Sequence, residues 1–266
     1  MTRDKAPAKP TGESAGTVEA WWVRVGEWNV HLLAARQPAP GTRSVVYLAG
    51  FIVGGHSAAP LAAELARTYR TYAPDLPGYA ESSGPARTLT QAQQADVIAG
   101  LLDALGLHRV DLVANSFAAQ IAVEFAVAHP KRLDRLVLIG PGVDSRGRTA
   151  MRQLLRFIRN SWEEDAIVPG MLGDFVAAGP RRIVETAWYA LRYRMERLVP
   201  LIQAETLVVR GEKDMIVPRR WVEEIAALLP RGRVIEVPEY AHGIERIGAP
   251  VLAGIIRRFL EEPQDQ

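Results

Sequence analysis

The chain has 266 residues, 48% of them hydrophobic and 23% charged, which suits a globular protein with a large buried core and excludes wholesale disorder and fibrous architectures. It has no cysteine, which removes disulfide scaffolds, thiolate metal sites and a cysteine nucleophile together. Thirty-two basic and 30 acidic side chains leave a net charge of +2, too balanced for a nucleic-acid binder, although the basic side is 28 Arg against 4 Lys.

Residues 1–16 are polar and rich in Pro, Lys and Gly, without the apolar run of a secretory signal. They read as a flexible leader on a cytoplasmic protein. No stretch approaches the ~18 consecutive apolar residues of a membrane span. Thr17–Val25 and Asn29–Arg36 flank Gly26-Glu27-Trp28 and predict a hairpin. Ser44–Gly50 is a nearly unbroken apolar run, the pattern of a strand covered on both faces. A helix over Ala58–Tyr69 and a strand near Thr71–Ala73 follow. Thr90 and Gln93 have capping-box spacing before a helix that Gly106 ends. Val110–Ala114 is the next strand, running directly into a helix that stops at His129-Pro130, and Leu133–Ile139 returns as a strand.

From about Gly142 to Pro200 the pattern is helical, with no convincing strand. The alternation resumes with a strand at Thr206–Arg210, a helix from Arg219, a strand at Arg233–Val237 and a helix at Pro250–Glu261. Two strands followed by alternating strands and helices predict an α/β fold, a mostly parallel twisted sheet with helices on both faces. Residues 17–141 and 201–262 then form the core, and 142–200 a helical lid over the carboxyl ends of the strands, where open α/β sheets bind ligands.

The strongest local signal is Val113-Ala-Asn-Ser-Phe-Ala-Ala-Gln120, where a strand becomes a helix with no room for a loop and Ser116 sits at the corner. Backbones pass closely in such a turn, so small residues are needed two positions to either side, and Ala114 and Ala118 supply them. A lone A-x-S-x-A also fits a helix N-cap serine. Two later strand exits add weight: Leu207–Asp214 presents Asp214, and Pro238–Glu245 presents His242. The three residue types of a nucleophile–base–acid triad thus appear in the order Ser, Asp, His at one sheet edge.

With these residues the chain resembles the α/β-hydrolase fold superfamily, in its serine-nucleophile branch, over about residues 17–262. Asp75-Leu-Pro-Gly-Tyr-Ala-Glu-Ser is similar to the family's loop after the fourth strand, and Leu48-Ala-Gly-Phe51 to its oxyanion segment, with Ala49 where histidine is common. The resemblance implies Ser116 as nucleophile, His242 as its base, Asp214 as the partner of His242, and the backbone N–H groups of Phe51 and Phe117 as oxyanion donors. It implies no cofactor and no metal, and the sequence has neither a nucleotide-binding glycine loop nor a zinc motif.

Asn115 before the nucleophile matches the Asn-Ser pair of the branch that cleaves carbon–carbon bonds in meta-cleavage products, whereas Gly243 stands where that branch usually has an aromatic residue. The first expectation is therefore hydrolysis of an ester, thioester or lactone of a small to medium apolar acyl compound through an acyl-enzyme on Ser116. Carbon–carbon hydrolysis is the alternative; acyl transfer, or a relative that binds a ligand or catalyses a non-hydrolytic reaction, shares the same residues. The partner is a small-molecule acyl substrate, and a homodimer is compatible with the sequence.

In the lid, Asn115 is joined by Trp162 and Trp188 as candidate pocket residues, with Phe157, Phe175 and Tyr189 as further aromatics. Arg148, Arg152, Arg156 and Arg159 share one helical face, and Met151, Leu154, Leu155 and Ile158 another. This reads as a solvated basic face, with a cation for a substrate carboxylate as the sharper version. His31, His108 and His129 read as structural. His56 reads as a surface residue beside the oxyanion segment.

Overall fold

The computed structural model describes residues 17–35, 43–163 and 169–263. The expected leader, residues 1–16, and residues 164–168 of the expected lid lie outside the described residues. One eight-stranded sheet runs through the molecule in the order β1-β2-β4-β3-β5-β6-β7-β8. The strands are β1 (Val18–Val25), β2 (Trp28–Ala35), β3 (Ser44–Leu48), β4 (Arg70–Pro74), β5 (Val110–Asn115), β6 (Leu133–Ile139), β7 (Glu205–Gly211) and β8 (Gly232–Val237). Only β2 runs antiparallel to its neighbours; from β4 to β8 every pairing is parallel.

The helices are α1 (Gly55–Ala66), α2 (Gln91–Ala104), α3 (Ala118–Ala128), α4 (Ala150–Asn160), α5 (Pro169–Arg192), α6 (Met195–Leu198), α7 (Arg219–Leu228), α8 (Ile244–Ile247) and α9 (Ala249–Glu261). The period-two alternation of each central strand divides its side chains between two cores. Val46, Leu48, Leu112, Ala114 and Leu138 pack under α2, α3 and α7. Val45, Tyr47, Val113 and Val137 pack under α1 and α9. Both faces being covered explains why these strands read as unbroken apolar runs.

The capping box at Thr90 and Gln93 is present, with Thr90 as the N-cap of α2. Among the described residues, 142–200 contains helices and no strand. The helix α5 consists of two helical pieces joined at Gly179, whose φ of +73° only glycine adopts readily, followed by Pro180. Among the described residues, no helix is long and apolar enough to cross a membrane.

The sheet order places a topological switch point between β3 and β5, because the chain leaves β3 toward β4 on one side and β5 lies on the other. The crevice beyond the carboxyl ends of these two strands is where such a sheet binds ligands. Phe51 follows β3 and Ser116 follows β5, so the fold brings both to that crevice.

Candidate active site

Ser116 occupies the corner directly after β5, with φ at +54°, and Phe117 alone separates it from α3. An L-residue is strained there, and the strain is held by burial: Ala114 and Ala118 are fully enclosed, and the Ser116 N–H donates to the Ile139 carbonyl at 2.8 Å. The small neighbours predicted from A-x-S-x-A are therefore required by packing. Gly50 completes the fit, since a Cβ there would sit 3.3 Å from the Ser116 Cβ.

The two later strand exits bring their side chains to this corner. His242 Nε2 lies 2.9 Å from Ser116 Oγ, and His242 Nδ1 lies 2.7 Å from Asp214 Oδ2. Asp214 is buried, and its second oxygen accepts the N–H groups of Ile216 and Val217, each at 2.8 Å. A carboxylate so held has one oxygen fixed by backbone and the other aimed at the imidazole. The arrangement can orient the ring with Nδ1 protonated, leaving Nε2 to accept the serine proton.

Two glycines that the sequence reading passed over make this approach possible. At Gly140, whose φ is +49°, a Cβ would lie 3.0 Å from His242 Cε1 and 3.2 Å from Asp214 Oδ2. At Gly211 a Cβ would collide with the Tyr240 and Ala241 carbonyls, so the histidine loop closes against β7 only because that position is bare. The only sequence signal is a glycine directly after a strand, which also marks ordinary turns.

The oxyanion segment is held differently from what Ala49 suggested. Gly54 donates its N–H to Asp174 Oδ2 at 3.0 Å, and Gly55 donates to Asp75 Oδ1. Asp75 also accepts from His31 Nδ1 at 2.8 Å and from the Glu81 N–H at 3.2 Å. His31 is thus structural, as read from its strand pattern. His129 is too: its ring pairs with Asp96 and packs against Phe125. His108 is exposed in the turn before β5, where its carbonyl accepts from Arg132. The His56 side chain lies outside the described residues.

Ile52, fully buried, takes a φ of +59°, a conformation that is an outlier for a β-branched residue. The turn leaves the Phe51 and Phe117 N–H groups without a described acceptor, while their rings meet edge to face at 5.9 Å. Both residues border the same cavity as Ser116.

That cavity has a volume of about 430 Å³ and is bordered by Ser116, His242 and Asn115. Its upper wall comes from α4 and α5, through Leu154, Phe157, Phe175, Ile183, Ala187 and Leu191. Asn115 is buried at the floor, as expected of a pocket residue. Trp162 and Trp188 are not in this wall: Trp162 is 80% exposed and Trp188 52%, with Trp188 stacked under the Arg192 guanidinium. The helical phase explains the correction, because Ile183, Ala187 and Leu191 follow four-residue steps that leave Val184 and Trp188 on the solvent side.

The expected solvated basic face of α4 is found only in part: Arg152 and Arg159 are exposed, while the remaining polar groups hold the helix to the protein. Polar residues attach the helix: Gln153 donates to the Gly147 carbonyl, Asn160 accepts the Met215 N–H, and Arg156 pairs with the buried Asp144, which also holds Arg220. Arg148 pairs with Glu196. Met151 and Leu155 face outward, 65% and 54% exposed, whereas Leu154 and Phe157 border the cavity. None of Arg148, Arg152, Arg156 and Arg159 borders the cavity.

Comparison with known proteins identifies the family. Residues 40–249 match the profile of the alpha/beta hydrolase family. The chain is 30% identical over 225 residues to a 2-hydroxymuconate semialdehyde hydrolase of Pseudomonas sp. (strain CF600), covering 75% of this chain and 79% of that one. It is 43% identical over 169 residues to a 2-hydroxy-6-oxo-2,4-heptadienoate hydrolase of Pseudomonas putida, covering 62% and 56%. The solved structure of a 2-hydroxy-6-oxo-6-phenylhexa-2,4-dienoate hydrolase from Rhodococcus sp. strain RHA1 superposes with a TM-score of 0.73 at 21% identity, over 92% of this chain and all of that one.

Proposed function

The chain belongs to the alpha/beta hydrolase family, and we propose that within it the protein hydrolyses the carbon–carbon bond next to the 6-oxo group of a 2-hydroxy-6-oxo-dienoate. The observation that carries this reading is the likeness to a 2-hydroxymuconate semialdehyde hydrolase over three quarters of the chain. The Asn115-Ser116 pair supports it, and together they favour this reaction over the ester cleavage that the sequence alone put first.

The chemistry follows from the leaving group. An ester releases an alkoxide, whereas here a carbon must leave with the bonding electrons. That is feasible when the substrate first tautomerises to its 2-oxo form, because the electrons then flow into a conjugated ketone. Ser116 Oγ attacks the 6-carbonyl as His242 Nε2 takes its proton. The oxyanion is held by the N–H groups of Phe51 and Phe117, and Asp214 stabilises the charged His242. The C5–C6 bond breaks and its electrons run into the conjugated ketone as a dienolate; the proton held by His242 is passed on to the dienolate 2-oxygen, and water hydrolyses the acyl-Ser116. The sum is substrate plus water giving a carboxylic acid and a 2-hydroxydienoate. The segment 142–200 acts as the lid that keeps bulk water from the carbanion-like fragment.

The test is loss of the dienolate chromophore of 2-hydroxymuconate semialdehyde or its 6-methyl homologue with purified protein. The reading predicts turnover that disappears in Ser116→Ala. A wild-type protein that leaves both compounds intact while hydrolysing p-nitrophenyl butyrate would refute it in favour of an esterase.

A further inference from the structure

Each substrate of this class carries a carboxylate at one end and a variable group on the reacting carbonyl at the other. A cavity that binds it needs a cation for the first, and the expected source, the arginines of α4, is turned away from the cavity. Among the described residues that border it, one arginine or lysine is found, Arg246. It lies in α8, four residues after His242, and α8 packs on α1, so Arg246 shares its wall with Gly243, Val53 and Ser57. Glu245, next to it, borders the same cavity, and its carboxylate acts on the buried Tyr47 hydroxyl, whose pKa is raised first by burial and then by that carboxylate. Arg246 has a contact of its own, but a guanidinium carries five N–H donors and can serve a second partner.

The α4–α5 wall brings no charged side chain to the cavity among the described residues: Leu154, Phe157, Ile183 and Leu191 border it, and its polar members Gln153 and Asn160 are held by the Gly147 carbonyl and the Met215 N–H. A second carboxylate placed there would lose water without gaining a cation, a cost that an alkyl or phenyl group does not incur. Resting on the carbon–carbon hydrolase reading, we infer that Arg246 binds the substrate carboxylate and that the α4–α5 wall receives the group on the reacting carbonyl. The enzyme therefore selects monocarboxylates with an apolar acyl group and rejects dicarboxylates. Arg246 acts here as a specificity residue, since it binds the end of the substrate remote from the bond that breaks.

The test uses the full chain and two kinds of readout. In wild type, kcat/KM for the 6-methyl or 6-phenyl dienoate should exceed that for 2-hydroxy-6-oxononadienedioate by more than about 100-fold, the scale of an unpaired buried charge. Separately, benzoate and benzamide are compared as competitive inhibitors of p-nitrophenyl butyrate hydrolysis. Benzoate should bind more tightly in wild type, and Arg246→Gln should reduce that preference by about 10- to 100-fold, the range for a charge-assisted hydrogen bond. Arg246→Lys should restore part of it. A benzoate preference unchanged in Arg246→Gln, or absent from wild type, overturns the assignment, as does equal turnover of the dicarboxylate. An Arg246-dependent benzoate preference in a protein that cleaves no dienoate sinks the carbon–carbon reading and leaves the carboxylate subsite standing. Should Arg246→Gln fail to fold, the two wild-type comparisons still decide.

Discussion

The ends of β3, β5, β6 and β7 and the helical segment between β6 and β7 border one cavity, yet they are held by opposite means. In the first, every strand residue from Val45 to Leu48 and from Leu133 to Ile139, apart from Asp134, is buried, and Ser116 keeps its positive φ between enclosed neighbours. In the second, α4 keeps Met151, Leu155 and Ile158 in solvent and is attached by ion pairs and hydrogen bonds through Arg156, Gln153 and Asn160. Close packing preserves sub-ångström geometry, whereas a polar attachment with few buried apolar contacts opens at low cost. The chemistry is assigned to the rigid part and substrate fit to the part that can shift.

The largest effects should therefore come from the strand ends. Ser116→Ala and His242→Ala should each lower kcat by about 10⁴- to 10⁶-fold with the fold intact, and Asp214→Asn somewhat less. Steady-state kinetics beside a thermal melt checks this. Ala118→Val comes next: enlarging an enclosed position beside the elbow should cost about 1–3 kcal/mol and, by displacing the Phe117 N–H, about 10²–10³-fold in kcat. Ala118→Gly should stay within about tenfold of wild type, since the site needs only a small residue.

Changes in the helical segment should be smaller and should act on KM. Burial raises the Asp144 pKa, but hydrogen bonds from Arg156 and Arg220 outweigh it and hold the carboxyl below its ordinary value. A carboxylate depressed in the folded state stabilises it above the unfolded pKa, and this contribution disappears as pH falls through the folded value. Acidification below the ordinary carboxylate range should thus loosen α4 before the sheet unfolds, seen as protease cutting within 150–160. Asp144→Asn should produce the same cutting at neutral pH, with a loss of about 1–3 kcal/mol. The smallest effect is expected for Trp188→Ala, whose exposed ring should change KM by less than about twofold. A large KM change there would move the substrate wall to the outer face of α5.

The same contrast explains what was legible in the sequence. A strand covered on both faces announces itself, so β6 lies at Leu133–Ile139 as read, and β3, β5 and β7 agree within about two residues. The order of Ser116, Asp214 and His242 was legible because each follows a recognisable strand. The inward side of α4 was not, because periodicity separates two faces without saying which one meets the protein, and Asp144, which decides it, lies in the preceding loop. Trp188 was misplaced for a related reason: one residue of helix rotation separates it from Ala187, which does border the cavity. Asp174, which holds the Gly54 N–H, lies 120 positions away and carries no local pattern.

The most direct test of the central claim is product analysis after incubation with 2-hydroxy-6-oxohepta-2,4-dienoate. Acetate and 2-hydroxypenta-2,4-dienoate are expected in equal amounts, formed by wild type and not by Ser116→Ala. Unchanged dienoate in a preparation whose Ser116 is labelled by a fluorophosphonate, or equal product formation by Ser116→Ala, would contradict the claim.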